Sequence, residues 1–464
     1  MVDVEEKDRP LVFRDEEGEV VPAYVERVSA ALAADNITTL RKLVGGLHEA
    51  DQGALLELLD HDERPKLIET LGEDFDFAAL TEVDDNVREE ILDELDPETV
   101  IEGVKDLESD DAVYILEDLD KDEQAEILEA LPASERIALQ KSLDYPENSA
   151  GRLMRTDLIA VPPFWTAGQV LDELQDNQDT PDSFFEVFVV DPGHRFLGNI
   201  FLDKLVRSSR KVRVDQLMAA DRLRVRVDED EEEVARIIAR YNLVSVPVVD
   251  EAERLVGVIT IDDIVDVIQD EADDEIKALG GVKADEELSD SVWNTVRSRF
   301  GWLFINLLTA FLASSVLGLF EGELQKMVAL AVLAPIVAGQ GGVAATQTMT
   351  VAVRALATRD LGAANAMRVT LRETAVGLLN GVGFGIITGV IAGLWFREFG
   401  IGAVIALAMT VNLVAGALGG ILIPLALERF RADPAVSSGV FVTTVTDVVG
   451  FFAFLGIATL WFHL

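Results

Sequence analysis

The chain is 464 residues long and carries 39 Lys+Arg against 84 Asp+Glu, a net charge of −45, yet its mean hydropathy is positive at +0.23. Position reconciles the two facts: residues 293–464 carry a net +2 and residues 1–292 a net −47, so an acidic soluble part is joined to a nearly neutral, apolar one. Phosphates and anionic surfaces repel such a charge, which excludes nucleic acid as a partner, and the lack of Cys excludes disulfides, thiolate metal sites and a Cys nucleophile.

The start, MVDVEEKDRP, lacks the basic end and apolar run of a signal peptide, so the N-terminal part is expected in the cytoplasm. Residues 1–20 are expected to be a disordered acidic N-terminus. Over residues 21–147 Leu or Val recurs every twelfth position, at Leu47, Leu59, Leu71, Val83, Leu95, Leu107, Leu119 and Leu131. Polar clusters such as Asp96-Pro-Glu-Thr and Asp120-Lys-Asp-Glu follow most of them and read as a helix stop, an N-cap and an acidic first turn. Helices this short cannot bury a face alone, so the period predicts a stacked superhelical repeat with one shared core.

Residues 148–262 hold a duplication. Leu153-Met154 returns as Leu217-Met218, and Val187-Phe-Val-Val-Asp191 returns as Val246-Pro-Val-Val-Asp250, with Gly198/Gly257 and Asp203/Asp262 keeping the same 59-residue offset as the second pair. The second copy reads as a strand at 222–227, a helix at 231–241, strands at 245–249 and 255–260, and a helix from Ile261. The duplicated α/β unit resembles a tandem pair of CBS domains, a regulatory module that binds adenine nucleotides or ions. Thr260 and Asp263 would serve an adenosine in the second copy; the first copy has Phe201 and Asp203 there, which argues against ATP.

Residues 263–292 are expected to be an acidic connecting segment, helical up to a stop at Gly280-Gly281. Asp263, Asp266, Asp270 and Asp274 fall three or four residues apart, so like charges crowd one face at a few tenths of a kcal/mol per pair. A bound divalent cation would remove that repulsion, as Mg²⁺ and Ca²⁺ prefer carboxylate oxygens.

Residues 293–464 contain five charge-poor apolar runs, each long enough to cross about 30 Å of hydrocarbon as a helix. With an odd number of spans and a cytoplasmic N-terminus, the C-terminus lies outside. The inner flanks then hold Arg297, Arg299, Arg354, Arg359, Arg368, Arg372, Arg429 and Arg431, and the outer flanks only Lys326 and Arg397, as the positive-inside rule requires. Gly377, Gly381, Gly385, Gly389 and Gly393 form an every-fourth ladder for close helix packing. Pro335 and Gly339-Gln-Gly-Gly are expected to interrupt the second span where it lines a watery path. Asp447 is the sole acid inside a span. An ionised carboxylate in hydrocarbon marks an ion or proton path, or else bonds a neighbouring Thr or Asn412. Thr443 lies one turn before it and Gly450 about one turn after.

The order of repeat, CBS pair, acidic helix and five spans resembles the MgtE family of magnesium channels across nearly the whole chain. The residues that carry the resemblance are Tyr145-Pro-Glu-Asn-Ser-Ala-Gly-Arg-Leu-Met154, the stretch from Val248-Val-Asp to Asp274, and Asp433-Pro-Ala with Phe441-Val-Thr-Thr-Val-Thr-Asp447. It implies a homodimeric, multi-pass protein of the cell membrane, with an all-α bundle of five transmembrane helices whose second and fifth members line a pore. Asp447 would coordinate hydrated Mg²⁺, and Pro335, Gly339, Gln347, Thr443 and Gly450 would line the pore. Regulatory Mg²⁺ would bind Asp263, Asp266, Glu271, Asp274 and Glu275, together with Asp230, Glu232, Asp433 and Asp110 or Asp111. Rising cytoplasmic Mg²⁺ would bridge these carboxylates and close the pore. Where the family commonly has Gly-Gly-Asn-x-Gly-x-Gln, this chain reads Gly341-Gly-Val-Ala-Ala-Thr-Gln347, which leaves selectivity among Mg²⁺, Co²⁺, Mn²⁺ and Zn²⁺ open. A proton- or Na⁺-coupled exchanger would use the same intramembrane Asp. An enzyme is not expected, because an intramembrane aspartyl protease would leave the acidic cytoplasmic module without purpose.

Overall fold

A twelve-residue period leaves room for about ten residues of helix and a two-residue link, and the N-terminal repeat folds that way. The computed structural model describes residues 12–177, 180–181, 183–219, 223–284, 286, 291–362, 364–430 and 434–463. Helices Glu49–Leu58, Asp85–Glu94, Pro97–Asp106 and Lys121–Ala130 are each ten residues long. The periodic Leu59, Leu95, Leu107 and Leu131 follow them in extended conformation, turning each side chain back into the shared core. Each such burial stabilises by about 1.5–3 kcal/mol. Asp96 and Asp120 stand at the expected N-cap positions, but neither side chain bonds the first turn, so their contribution is to the helix dipole alone.

The expectation of disorder through residue 20 is corrected for residues 12–20. Phe13 is buried edge-on against Tyr24, Arg14 pairs with Asp51 at 2.6 Å, and Arg14 bridges Val20. An aromatic anchor with a core to enter outweighs the acidity around it. Residues 1–11 lie outside the described residues.

The duplicated unit holds two three-stranded sheets, each with a parallel first pair and an antiparallel second pair. In the second copy, helix Glu231–Tyr241 and strands Ser245–Val249 and Leu255–Thr260 match the sequence reading to the residue. The registers repeat as well: Val161 faces Val189 and Val189 faces Gly198, as Val225 faces Val248 and Val248 faces Gly257. Arg155 bridges Val258 of the second copy, and Ala219 bridges Asn199 of the first, so each copy is completed by the segment that precedes the other. Met154 lies over Gly257, where a Cβ would meet its sulfur at 2.5 Å, so this glycine makes room for the Leu-Met motif. The acidic helix runs Ile261–Leu279, and Gly281 terminates it at φ +74°. The chain divides into two units between Asp270 and Glu271, inside this helix.

Among the described residues of the second unit five helices are long and apolar enough to span a membrane: Val292–Leu319, Val328–Ala357, Ala366–Phe396, Phe399–Arg429 and Gly439–Phe462. The interrupted second span is corrected: its backbone is helical through Pro335 and the glycines, as the fourth is through Pro424. A continuous helix satisfies its own backbone in lipid, and the glycines there shape a groove rather than a break.

The third and fourth spans meet along the glycine ladder. A Cβ on Gly377, Gly381, Gly385 or Gly389 would come within 2.6–2.9 Å of fourth-span atoms, mostly backbone, whereas at Gly393 the nearest atom is 3.8 Å away. Gly385→Val should therefore cost about 1–3 kcal/mol by forcing the two backbones apart, while Gly393→Ala should be nearly neutral. Thermal unfolding of the two detergent-solubilised variants checks the contrast.

Candidate functional site

The groove that opens between the second and fifth spans encloses about 450 Å³ and is lined by Ala338, Gly339, Gly342, Val343, Thr346, Gln347, Thr443 and Asp447. Helical spacing explains the set: 339, 342, 343, 346 and 347 share one face of the second span, and 443 and 447 one face of the fifth. Glycine at 339 and 342 removes side chains from the wall, which leaves room for a ligand larger than a bare ion. The hydroxyls of Thr346 and Thr443 donate to their own helices, to Gly342 O and Gly439 O, each at 3.0 Å. Their lone pairs remain available as acceptors, as a cation or its water requires.

Of the five positions read from the sequence as pore-lining, the groove thus brings together Gly339, Gln347 and Thr443. Pro335 and Gly450 do not line it. Gly450 faces Asn412 instead: a Cβ there would stand 2.7 Å from the Asn412 amide nitrogen. Asn412 donates to Val337 O, so the amide that might have satisfied Asp447 is engaged elsewhere.

Towards the C-terminal end of the second span, Ala278 and Leu279 of the acidic helix pack with Ala345, Met349 and Val353 of that span and with Ala435 and Val442. Glu275 pairs with Arg354 at 2.6 Å. Asp274 is half-buried and Glu271 exposed on the same stretch, and Asp433 lies outside the described residues.

The first unit holds a second constellation, centred on a cation the sequence reading missed. Arg155 is 12% exposed and is surrounded by carboxylates from two distant segments. Glu108 and Asp110, at the start of helix Ser109–Glu117, bind its NH1 and Nε, the latter at 2.5 Å. Asp262 and Asp263, at the start of the acidic helix, bind its NH2 at 3.2 and 3.0 Å. Glu108, Asp110 and Asp111 can bring oxygens within 4.8 Å of one another, and Asp110 Oδ1 is buried without a partner among the described residues.

One guanidinium does not balance so many acids. Burial first, and Asp263 next among the charges that raise it, push Asp111 up to about 7, against the opposing pull of Arg155. Burial likewise raises Glu108 and Asp110. Asp266 is raised by burial and then by Glu82, Asp263 and Asp262.

The remaining sequence-derived acids stand apart. Asp230 caps helix Glu231–Tyr241 through Glu232 N, and Glu232 bonds Arg236 in the same helix. Thr260 donates to Asp263 Oδ2 at 2.7 Å while Asp263 Oδ1 takes Arg155. Both groups of the pair are thus engaged within the chain in this arrangement. A signal for Arg155 existed in the duplication: Leu153-Met154 is followed by Arg155 where Leu217-Met218 is followed by Ala219.

Comparison with known families matches residues 334–457 to the divalent cation transporter family MgtE, residues 47–148 to the MgtE intracellular N domain and residues 214–270 to the CBS domain. The chain is similar to the magnesium transporter MgtE of Thermus thermophilus, at 35% identity over 68% of this chain and 70% of that one. It is also similar to that of Enterococcus faecalis, at 31% identity over 69% and 71%. A crystal structure of the cytosolic domain of the Mg²⁺ channel MgtE in complex with ATP is 29% identical, covering 52% of this chain and 99% of that one, with a TM-score of 0.49.

An acid whose pKa is raised by folding binds its proton more tightly folded than unfolded, so stability falls as pH rises from near 4 towards about 7. In a chelator, the full chain in detergent should therefore melt lower at pH 7.5 than at pH 5.5, and Asp111→Asn should flatten the slope. Arg155→Ala should cost about 3–5 kcal/mol at pH 7.5, since it leaves buried carboxylates uncompensated, and less at pH 5.5. A flat wild-type profile would contradict the assignment.

Proposed function

The chain belongs to the MgtE family of magnesium transporters, and on that premise we propose that it is a Mg²⁺ channel, closed by cytoplasmic Mg²⁺, and not an enzyme. The observation that carries the channel reading is the groove: Asp447 shares it with Gln347, Thr346 and Thr443, in room enough for a hydrated ion. Mg²⁺ surrenders its water reluctantly, so a site of few carboxylates and several neutral oxygens suits it. In a homodimer two Asp447 carboxylates would flank one axis and balance the charge of one ion. With the N-terminus in the cytoplasm and the C-terminus outside, the membrane potential drives entry, by roughly 4.6 kcal/mol per 100 mV for a divalent charge.

Closure uses the acidic helix. At low Mg²⁺ the carboxylates at its start, Asp263 and Asp266, repel Asp110, Asp111 and Glu108, and Arg155 compensates them only in part. Mg²⁺ added to this cluster favours the associated state, a population shift by the ion that binds that state better. The end of the helix, with Glu275 on Arg354, then covers the inner mouth of the second and fifth spans; Glu271, Asp274 and Asp433 complete this set. Asp230 and Glu232 are left out of it, because capping and an intrahelical ion pair already account for them.

Asp447→Ala in proteoliposomes should abolish Mg²⁺ uptake at unchanged protein yield, and full uptake would remove the pore assignment. Neutralising Asp111, Asp263 and Asp266 together should preserve uptake and blunt its inhibition by internal Mg²⁺. Uptake that requires a pH or Na⁺ gradient would favour a coupled exchanger over a channel.

A further inference from the structure

Asn412, near the middle of the fourth span, is fully buried at 0% exposure. Its Nδ2 donates to the carbonyl of Val337 on the second span at 2.8 Å. A Cβ on Gly341 of that span would run into the amide, and one on Gly450 of the fifth span would stand 2.7 Å from its nitrogen. The side chain is thus wedged between the two helices that form the groove, against a residue without a side chain on each. Val337 directly precedes Ala338 and Gly339 in the wall, Gly341 precedes Gly342, and Gly450 lies one turn beyond Asp447.

Volume alone does not explain an amide here. Leucine would fill such a space in an apolar bundle, whereas Asn412 buries an Oδ1 that finds no partner among the described residues, and this costs stability. What leucine cannot do is donate to a backbone carbonyl. Val337 O has two lone pairs, one of which the helix uses, and the amide takes the other. That bond ties the rotation of the second span to the fourth span, while contact with Gly450 sets the distance to the helix bearing Asp447.

We propose that Asn412 is a positioning residue for ion transport, holding the second-span wall at a fixed rotation and separation from Asp447. The inference rests on the groove being the ion path. It also assigns the glycine at 450 a reason: it is the space that the amide occupies.

The test is the pair Asn412→Ala and Gly450→Ala in one chain, which removes the amide and returns a methyl group to the vacated space. Full-length protein in liposomes should stay folded and monodisperse. The Mg²⁺ concentration for half-maximal uptake should rise roughly tenfold, with loss of preference over Ca²⁺, as the loss of one positioning hydrogen bond implies. Unchanged half-saturation and selectivity in the folded double variant would overturn the proposal. Should that variant not fold, Asn412→Ser, which keeps a donor, must retain more Mg²⁺ affinity than Asn412→Ala, and equal loss overturns it. Asp447→Asn, run alongside, separates the two questions: wild-type uptake there means the groove is not the path, whatever the Asn412 variants do.

Discussion

An ionised carboxylate tolerates neither hydrocarbon nor a second carboxylate at its side without a compensating cation, and both units of this chain are organised around that constraint. In the first unit the cation is covalently part of the protein: Arg155 gathers acids that lie 45 to 108 residues away in sequence. In the second unit no basic side chain among the described residues lines the groove, and Asp447 faces open space among hydroxyls, an amide and glycines. A protein that wished only for stability would place an arginine beside Asp447 as it does beside Asp110. The two carboxylate environments differ accordingly: one is a structural hub, and the other leaves its acid facing open space.

The hub is incompletely neutralised, and this gives it a second property. Arg155 is held protonated by its neighbours, so it does not titrate, and adjustment falls on the acids. Protons then relieve the repulsion among Glu108, Asp111 and Asp263. Added salt screens such a buried cluster far less than it screens the exposed acids that make up most of the −47 charge of residues 1–292. The negative charge that first drew attention therefore divides by burial, and only its buried fraction is suited to respond to a specific ion.

Much of this was legible in the sequence because it is local and periodic. The twelve-residue repeat, the second CBS copy and the apolar spans each follow from spacing within a short window, and helix Glu231–Tyr241 came out to the residue. What escaped is long-range. The role of Arg155 depends on three segments meeting, and nothing near it in sequence announces Asp110 or Asp262. Gly450 looked like a pore residue because it lies a turn from Asp447, but a further three residues rotate it onto Asn412. Pro335 looked like a break, since proline in water-exposed helices usually is; within a bundle the helix continues through it. Asn412 was visible as a polar residue in a span, while its bond to Val337 was not.

The exchange of segments between the CBS copies has a consequence for how the protein is made. Ala150 and Met154 sit in the core of the second copy, among Val225, Val246 and Ile259, and Leu217 sits in that of the first. The first core is complete once Leu217 and Met218 are made, but the second, which already holds Ala150 and Met154, waits for the strand at Leu255–Thr260, about a hundred residues after Arg155. At 5–20 residues per second that is a wait of roughly 5–20 s. The helical repeat, whose contacts are mostly local, has no such delay and can close first. Folding of the soluble part is therefore completed by the same stretch of chain that begins the acidic helix, just before the first apolar span is translated. Synthesis order and assembly order coincide there, and a truncation after Met218 would leave the core of the first copy but strand Ala150 and Met154 without the second-copy residues they pack against.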